Sequence, residues 1–255
     1  MHAHFERHHY DLHAHDTYSF GLTETGAQSF GCRGAARTSA AGMVMAFNPD
    51  EPHDGRAATE GGFTYRIVHI GPELIGSLLT DLTGRPTGLP LFTEPVLHDP
   101  VLAGALARVH AALSDRASIL ARDEALADAV AALVRRGART PPPAGTRPAG
   151  EAGLAARVRA VLDGDPLTEL GAQELANLVD ASRFALYRAF KATYGLAPSD
   201  YQRLLRLRAA RKLLVDGQTV AAAAIDSGFA DQAHLTRWFR RVYGITPAIY
   251  RRAGL

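Results

Sequence analysis

The chain has 255 residues, of which 47% are hydrophobic and 21% are charged, a length that suits two domains and a composition that excludes a wholly disordered protein. Its single cysteine, Cys32, excludes an internal disulfide framework and any multi-cysteine zinc site. No apolar run approaches the roughly 18 to 20 residues needed to cross a bilayer, and the opening MHAHFERHHYDLHAHD lacks the apolar stretch of a signal peptide. We therefore expect a cytoplasmic protein without a membrane partner.

The first half of the chain changes character once. Residues 17–70 contain short runs rich in aromatic and β-branched residues (TYSFGLTE, AQSFGCRG, GMVMAFNP and FTYRIVHI), bounded by Gly, Pro or Asp about every ten residues. This rhythm predicts a small antiparallel barrel or sandwich. From Pro100 to Arg136 the apolar spacing becomes helical and predicts two amphipathic helices, which could form a dimer surface or cover the open end of the barrel.

A Pro/Gly-rich segment separates the two halves. Residues 138–153, ARTPPPAGTRPAGEAG, hold four prolines and three glycines without apolar periodicity, which predicts a flexible linker. The prediction is therefore a two-domain α+β protein, with a β-rich domain over 1–137 and an all-α domain over 154–255.

The charge of the chain is unevenly distributed. Residues 1–150 carry 13 Lys/Arg against 16 Asp/Glu, whereas residues 181–255 carry 13 against 4. A net charge of +9 on the last third favours a polyanionic partner.

The C-terminal region contains an internal repeat. Shifting the chain by 49 residues gives eight identities in the 22 positions that start at Ser182, including Leu186 with Leu235 and Arg188 with Arg237. This agreement indicates a duplicated structural unit.

Each copy predicts a short helix, a turn and a second helix. The short helices are 172–178 and 220–226, and the second helices follow the N-cap residues Ser182 and Asp231. The outward faces of the second helices carry basic residues and no carboxylate. This pattern is typical of helix-turn-helix units, whose second helix enters the DNA major groove, and a helix over 201–215 would connect the copies.

The segments SRFALYRAFKATYGLAPSDYQRLLRLRAARKLL and VAAAAIDSGFADQAHLTRWFRRVYGITPAIYRR resemble the DNA-binding domain of AraC/XylS-type transcriptional regulators, over about residues 154–252. In that family both recognition helices contact bases. The resemblance implies base contacts by Phe184, Tyr187, Arg188, Gln232, His234, Thr236 and Arg237. Arg188 and Arg237 are the candidates for guanine, because a guanidinium can bind O6 and N7 together. Arg183, Lys191 and Arg240 are expected to contact phosphates.

The first 90 residues resemble the cupin-like sensing domain of many such regulators, on the phrases HAHDTYSFGLTETGAQSF, GMVMAFNPDEPH and FTYRIVHI. The interior of such a barrel can hold one small ligand. The candidates to contact this effector are His13, His15, Glu24, His53, Tyr65 and Arg66. Alternation alone does not establish which of them face inward, because a one-residue register shift reverses every side chain.

Three of these candidates form a potential metal-ligand set. His13 and His15 lie two residues apart, and His53 follows the NPDEP turn. Metal-binding cupins add a carboxylate about four residues after the second histidine, and Ser19 occupies that place here. We therefore expect no metal cofactor, and histidines that bind an effector or hold the barrel mouth.

The sequence thus predicts a ligand-responsive, sequence-specific transcriptional regulator that is not an enzyme. The family implies an activator, with double-stranded DNA, a small-molecule effector and RNA polymerase as partners and a homodimer as one assembly. The alternative is a metal-dependent cupin enzyme fused to a DNA-binding module.

Overall fold

The computed structural model describes residues 1–7, 9–139 and 151–253. The chain forms two compact units, Met1–Ala111 with Ala125–Thr146, and Ala112–Glu124 with Arg147–Leu255. All strands lie in the first unit and the second is helical, which confirms the two-domain α+β prediction. None of the helices in the described ranges is both long and apolar enough to span a membrane.

The first unit is built on one eight-stranded antiparallel sheet. Its strands are β1 (His2–Phe5), β2 (His9–His13), β3 (Tyr18–Cys32), β4 (Ala35–Ala40), β5 (Val44–Phe47), β6 (His53–Ala57), β7 (Phe63–Ile70) and β8 (Val96–Leu97). The 15-residue β3 organises the sheet: its first half pairs with β5 and β7, and its second half pairs with β4 and β6. β2 adds to β6, and β1 adds to β7.

The two halves of this sheet face each other across a shared core. Phe30 from the second half of β3 packs in one cluster with Phe47 of β5 and with Phe63 and Tyr65 of β7. Cys32 belongs to the same cluster, where burial raises the pKa of its thiol. Alternate side chains of each strand therefore point into this interior, as the period-two pattern predicts.

Three helices accompany the sheet: α1 (Pro72–Thr83), α2 (Pro100–Ser114) and α3 (Ile119–Gly137). The last two confirm the helical prediction for 100–136. α1 was not predicted, although it starts on a proline, ends at the left-handed Gly84 and buries Ile75, Leu78 and Leu79. The division between the two units falls within α3, after Glu124.

The helices of the second unit are α4 (Glu151–Gly164), α5 (Ala172–Leu178), α6 (Arg183–Tyr194), α7 (Pro198–Val215), α8 (Val220–Asp226), α9 (Gln232–Tyr243) and α10 (Pro247–Ala253). The predicted linker, 138–153, ends three residues too late because α4 begins at Glu151, and its residues 140–150 lie outside the described ranges. α7 begins at Pro198, earlier than predicted, because proline suits the first helical position.

The repeated sequence forms two equivalent helix-turn-helix units, α5–α6 and α8–α9. Ser182 caps α6 by accepting a hydrogen bond from the amide of Ala185, and Asp231 caps α9 by accepting one from His234. Both helices end at a glycine in the left-handed region: α6 at Gly195, with φ 75°, and α9 at Gly244, with φ 77°. The duplication in sequence is therefore a duplication of helix boundaries.

Each unit has its own core with the same aromatic arrangement. The Phe190 and Tyr194 rings lie 4.7 Å apart, and the matching Phe239 and Tyr243 rings lie 4.6 Å apart. The apolar face of each second helix is consequently fixed by burial, and the opposite face is directed away from its core.

Candidate nucleic-acid interface and sensing site

The exposed faces of α6 and α9 are basic. Arg188 and Lys191 are exposed on α6, and Arg237 and Arg240 are exposed on α9. Neither helix contains an Asp or Glu. Because each helix packs its other face on a separate core, these cations lie on the surface, where an anionic partner can reach them.

The exposed face of α9 is also slightly concave. One shallow cavity of about 580 Å³ is lined by Gln232, Ala233, Thr236, Arg237 and Arg240. The surface thus combines an amide, a hydroxyl and two guanidinium groups, which are the side-chain types that hydrogen-bond base edges and phosphates.

Both arginines predicted to contact guanine are paired with a carboxylate inside the second unit. Arg188 Nε lies 3.0 Å from Glu151 Oε1, at the start of α4. Arg237 Nη1 lies 3.1 Å from Asp115 Oδ1, in the segment between α2 and α3. Neither counter-ion was predicted from the sequence, since both lie more than 35 residues from the arginine and carry no local pattern.

Three predicted DNA-contacting residues are less accessible than expected. Arg183 and His234 are each only 9% exposed, because the first turns of α6 and α9 lie against the preceding helix and turn. The His234 ring packs on Phe229, and burial lowers its pKa. Tyr187 packs against the core of its own unit. Arg183 thus offers little surface to a phosphate, and His234 and Tyr187 pack within the fold; their DNA contacts stay predictions.

The remaining assignments on these helices stay predictions. Phe184 and Thr236 are half-exposed, and Gln232 is exposed. Their positions on the second helix of each unit are compatible with base contacts, but no neighbouring group in the described residues distinguishes their roles.

The three predicted histidines come together in the first unit. His13 at the end of β2 lies directly opposite His53 of β6 in the antiparallel pair, with 4.5 Å between the ring centroids. His15 follows in the loop before β3, and its ring lies 5.0 Å from that of His13. One ligand atom from each histidine lies within 4.8 Å of those of the other two.

The surroundings of His15 and His53 favour the neutral form of these two rings. Burial lowers the pKa of His15 and of His53, and the neighbouring imidazoles lower both further. The His53 ring also stacks on Phe47, with 4.0 Å between the centroids. Neutral imidazoles can serve as ligands or as hydrogen-bonding groups.

The other predicted effector contacts divide between the two faces of β7. Tyr65 points into the shared core, and its hydroxyl lies 3.2 Å from that of Tyr10. Arg66 points to the opposite face, where its Nε lies 2.7 Å from Glu24 Oε1. Glu24 also contacts His2 at 2.8 Å. Of these three candidates to line or rim the pocket, Tyr65 therefore faces the interior, whereas Glu24 and Arg66 form an ion pair on the other side of the sheet.

An open cavity of about 950 Å³ lies beside the second half of β3. Its polar lining includes Arg33, Glu51, Asp54 and Arg56, and none of the six predicted effector contacts belongs to it. Arg33 pairs with Glu51, and the Arg33 Nη2 donates to the carbonyl of Phe92 at 2.7 Å. This site was not predicted, since its residues come from four separate segments.

A sheet unit with an interior of this kind, joined in one chain to a helical unit with two basic helix-turn-helix motifs, defines a one-component DNA-binding regulator with a sensing domain. A family model described as the AraC-like ligand binding domain matches residues 1–130, and one described as a helix-turn-helix domain matches residues 175–253. The chain therefore belongs to the AraC-type transcriptional regulators.

The chain is also similar to other transcriptional regulators. The HTH-type transcriptional regulator YbfI of Bacillus subtilis is 26% identical over 88% of this chain and 80% of its own length. The bifunctional transcriptional activator and DNA repair enzyme Ada of Escherichia coli is 33% identical over 34% of this chain. The matched segment covers only 25% of Ada. The DNA-binding domain of AdpA, solved in complex with a target DNA, is 30% identical over 39% of this chain and 90% of that one, with a TM-score of 0.37. The family matches support the regulator hypothesis and not the enzyme alternative.

Proposed function

We propose that this regulator is a small-molecule-responsive transcriptional activator that places α6 and α9 in two successive major grooves of its target DNA. The observation that carries the proposal is the pair of equivalent, N-capped helices with basic exposed faces and separately packed cores. α7 connects the two helix-turn-helix units. It has 18 residues and is about 27 Å long at 1.5 Å per residue. A rigid connection of this length suits recognition helices held about one DNA turn, ~34 Å, apart.

The exposed cations have two roles in this proposal. Arg188 and Arg237 each bind a guanine through two parallel hydrogen bonds and set the sequence preference of their half-site. Lys191 and Arg240 bind phosphates, which adds affinity without sequence information. Phe184 offers only apolar contact, as to a thymine methyl group.

The first unit supplies the response. We assign the small molecule to its interior or to its open cavity, which both combine polar and apolar side chains. An effector that binds one arrangement of the protein better than another shifts the population toward it. Activation then requires RNA polymerase as a partner, in the cytoplasm, and the protein acts as a monomer or a homodimer.

The experiment is DNA-site selection followed by quantitative footprinting at one fixed salt concentration. Arg188→Ala and Arg237→Ala should each relax the preference at one half of the site, with a loss of about 1–3 kcal/mol for the preferred base. Lys191→Ala should weaken binding to all sequences alike and reduce the salt slope by about one.

Arg85→Ala is the matched control, because Arg85 is an exposed arginine of the first unit. It should leave both the preference and the salt slope unchanged. Unaltered footprints for both Arg188→Ala and Arg237→Ala would show that these helices do not read the sequence.

A further inference from the structure

We propose that His13, His15 and His53 bind a divalent transition-metal ion of the zinc class through three imidazole nitrogens. Their ligand atoms already lie within 4.8 Å of one another. The nitrogens of a tetrahedral site lie about 3.4 Å apart, because each lies about 2.1 Å from the metal. Side-chain rotations that move each ligand nitrogen by roughly 1 Å therefore bring all three within bonding distance of one ion.

Hydrogen bonds behind two of the rings support this site independently of their spacing. His13 Nδ1 lies 2.7 Å from the carbonyl oxygen of Asp11, and His53 Nδ1 lies 2.8 Å from that of Glu51. A carbonyl oxygen only accepts, so Nδ1 is the donor in both hydrogen bonds, which leaves Nε2 as the ligand atom of the neutral ring. Metal-binding histidines are held in this way, because the backbone carbonyl fixes both the tautomer and the ring orientation.

The backbone that carries the three rings is also held together. His13 and His53 are cross-strand partners in the β2–β6 pair. The amide of Asp50 donates to the carbonyl of His15 at 2.6 Å, which joins the loop carrying His15 to the turn that leads into β6. Phe47 stacks on His53 and limits the movement of its ring. The ligands are therefore largely preorganised before an ion binds.

The donor set determines the class of ion. Imidazole suits zinc, copper, nickel and iron, whereas magnesium and calcium require oxygen ligands. The group found in the described residues contains no carboxylate. Three neutral ligands leave the double positive charge of the ion uncompensated and a fourth position open, so the bound ion would attract an anionic small ligand. This site is separate from the DNA contacts and does not depend on their assignment.

The test uses the full-length chain produced without a histidine tag, stripped with a chelator and titrated with Zn²⁺ by calorimetry. Co²⁺ serves as a second probe, because its visible spectrum reports low-symmetry coordination by imidazole. We expect one equivalent of Zn²⁺ per chain, and at least a tenfold weaker affinity in His13→Gln and in His15→Gln. His98→Gln removes an exposed histidine outside the group and should bind as the wild type does.

Both His13 and His15 are half-exposed, so their variants keep the test valid even if the buried His53→Gln fails to fold, and circular dichroism checks each variant. The proposal is overturned if the wild type takes up no equivalent of either ion. It is also overturned if the His13→Gln/His15→Gln double variant keeps full affinity. Loss of the ion on replacing His2, His4 and His9 instead would assign binding to the N-terminal histidines.

Discussion

Glu124 in α3 is a buried carboxyl group that is hydrogen-bonded to the start of α7. The amide of Ser199 donates to Glu124 Oε1 at 2.9 Å, and the Ser199 hydroxyl donates to Glu124 Oε2. Ser199 stands in the first turn of α7, where amide groups have no partner within the helix. Burial nevertheless dominates and raises the pKa of Glu124 to about 8. At neutral pH this side chain is therefore mostly protonated.

This setting predicts a stability that falls as the pH rises. An unfolded glutamate loses its proton near pH 4.5, whereas folded Glu124 keeps it up to about pH 8. Between these two values unfolding releases a proton, so the protein loses stability as the pH rises. The contribution of Glu124 to the free energy of unfolding is therefore fully present below pH 4.5 and is lost as the pH approaches 8. The total loss is on the order of a few kcal/mol. Urea denaturation between pH 5 and pH 8 measures it.

Glu124→Gln isolates this contribution from those of other titrating groups. Glutamine keeps the shape and one acceptor oxygen but does not titrate, so the variant should show a flatter stability profile over the same range. A difference between wild type and variant that is constant with pH would contradict the raised pKa.

Single residues differ in how well the sequence predicts the position of their side chains. His13 and His53 come together because β2 and β6 pair with these two residues directly opposite each other. Alternation leaves the facing of Glu24 open, because β3 has an irregularity between Thr23 and Thr25 that changes the alternation by one residue. Helical periodicity places Arg183 on α6 but does not show what covers its first turn, where the side chain is only 9% exposed.

Arg206 of α7 links the two helix-turn-helix units. Its guanidinium is buried and donates to the carbonyl oxygens of Pro166, Leu167 and Thr168, which precede α5. It also donates to the carbonyl of Gly228, in the turn between α8 and α9. Burial lowers the pKa of Arg206, and within the described residues no carboxylate forms an ion pair with its guanidinium.

We expect Arg206→Met to destabilise the protein by about 2–4 kcal/mol, since it removes a donor from four inward carbonyl groups, although that of Thr168 also accepts from Gln202 Nε2. Arg208→Met is the matched control, because Arg208 is an exposed arginine of the same helix, and its effect should stay within about 0.5 kcal/mol. Chemical denaturation of both variants provides the measurement. Equal stabilities would show that Arg206 does not hold the units together.

At the level of whole elements, the repeat made the second unit the more predictable. The 49-residue shift fixes the phase of α5–α6 against α8–α9, and capping residues then give the boundaries of α6 and α9. No second copy of α1 exists in the described sequence to mark its boundaries. Only Gly71 separates it from β7, so its apolar residues read as a continuation of the strand. The pairing of all eight strands depends on long-range contacts that local patterns do not encode.

The charge of the molecule is divided so that its last third is strongly basic and earlier segments are acidic. Two acidic residues outside that third, Glu151 and Asp115, contact the arginines of α6 and α9. In the proposed complex, DNA displaces these carboxylates before Arg188 and Arg237 bind bases. We therefore expect the pairs to oppose DNA binding, by about 0–1 kcal/mol each where they are exposed to solvent.

Neutralising these carboxylates should consequently strengthen DNA binding. We expect Glu151→Gln and Asp115→Asn each to lower the dissociation constant up to about fivefold at low salt, because the arginine is released and one negative charge is lost. Glu60→Gln removes an exposed carboxylate from the first unit and controls for the change in net charge. Binding isotherms on one DNA fragment over a range of salt concentrations measure the effect, which should shrink as screening increases. If both variants bind no more tightly than Glu60→Gln, the carboxylates do not compete with DNA for the two arginines.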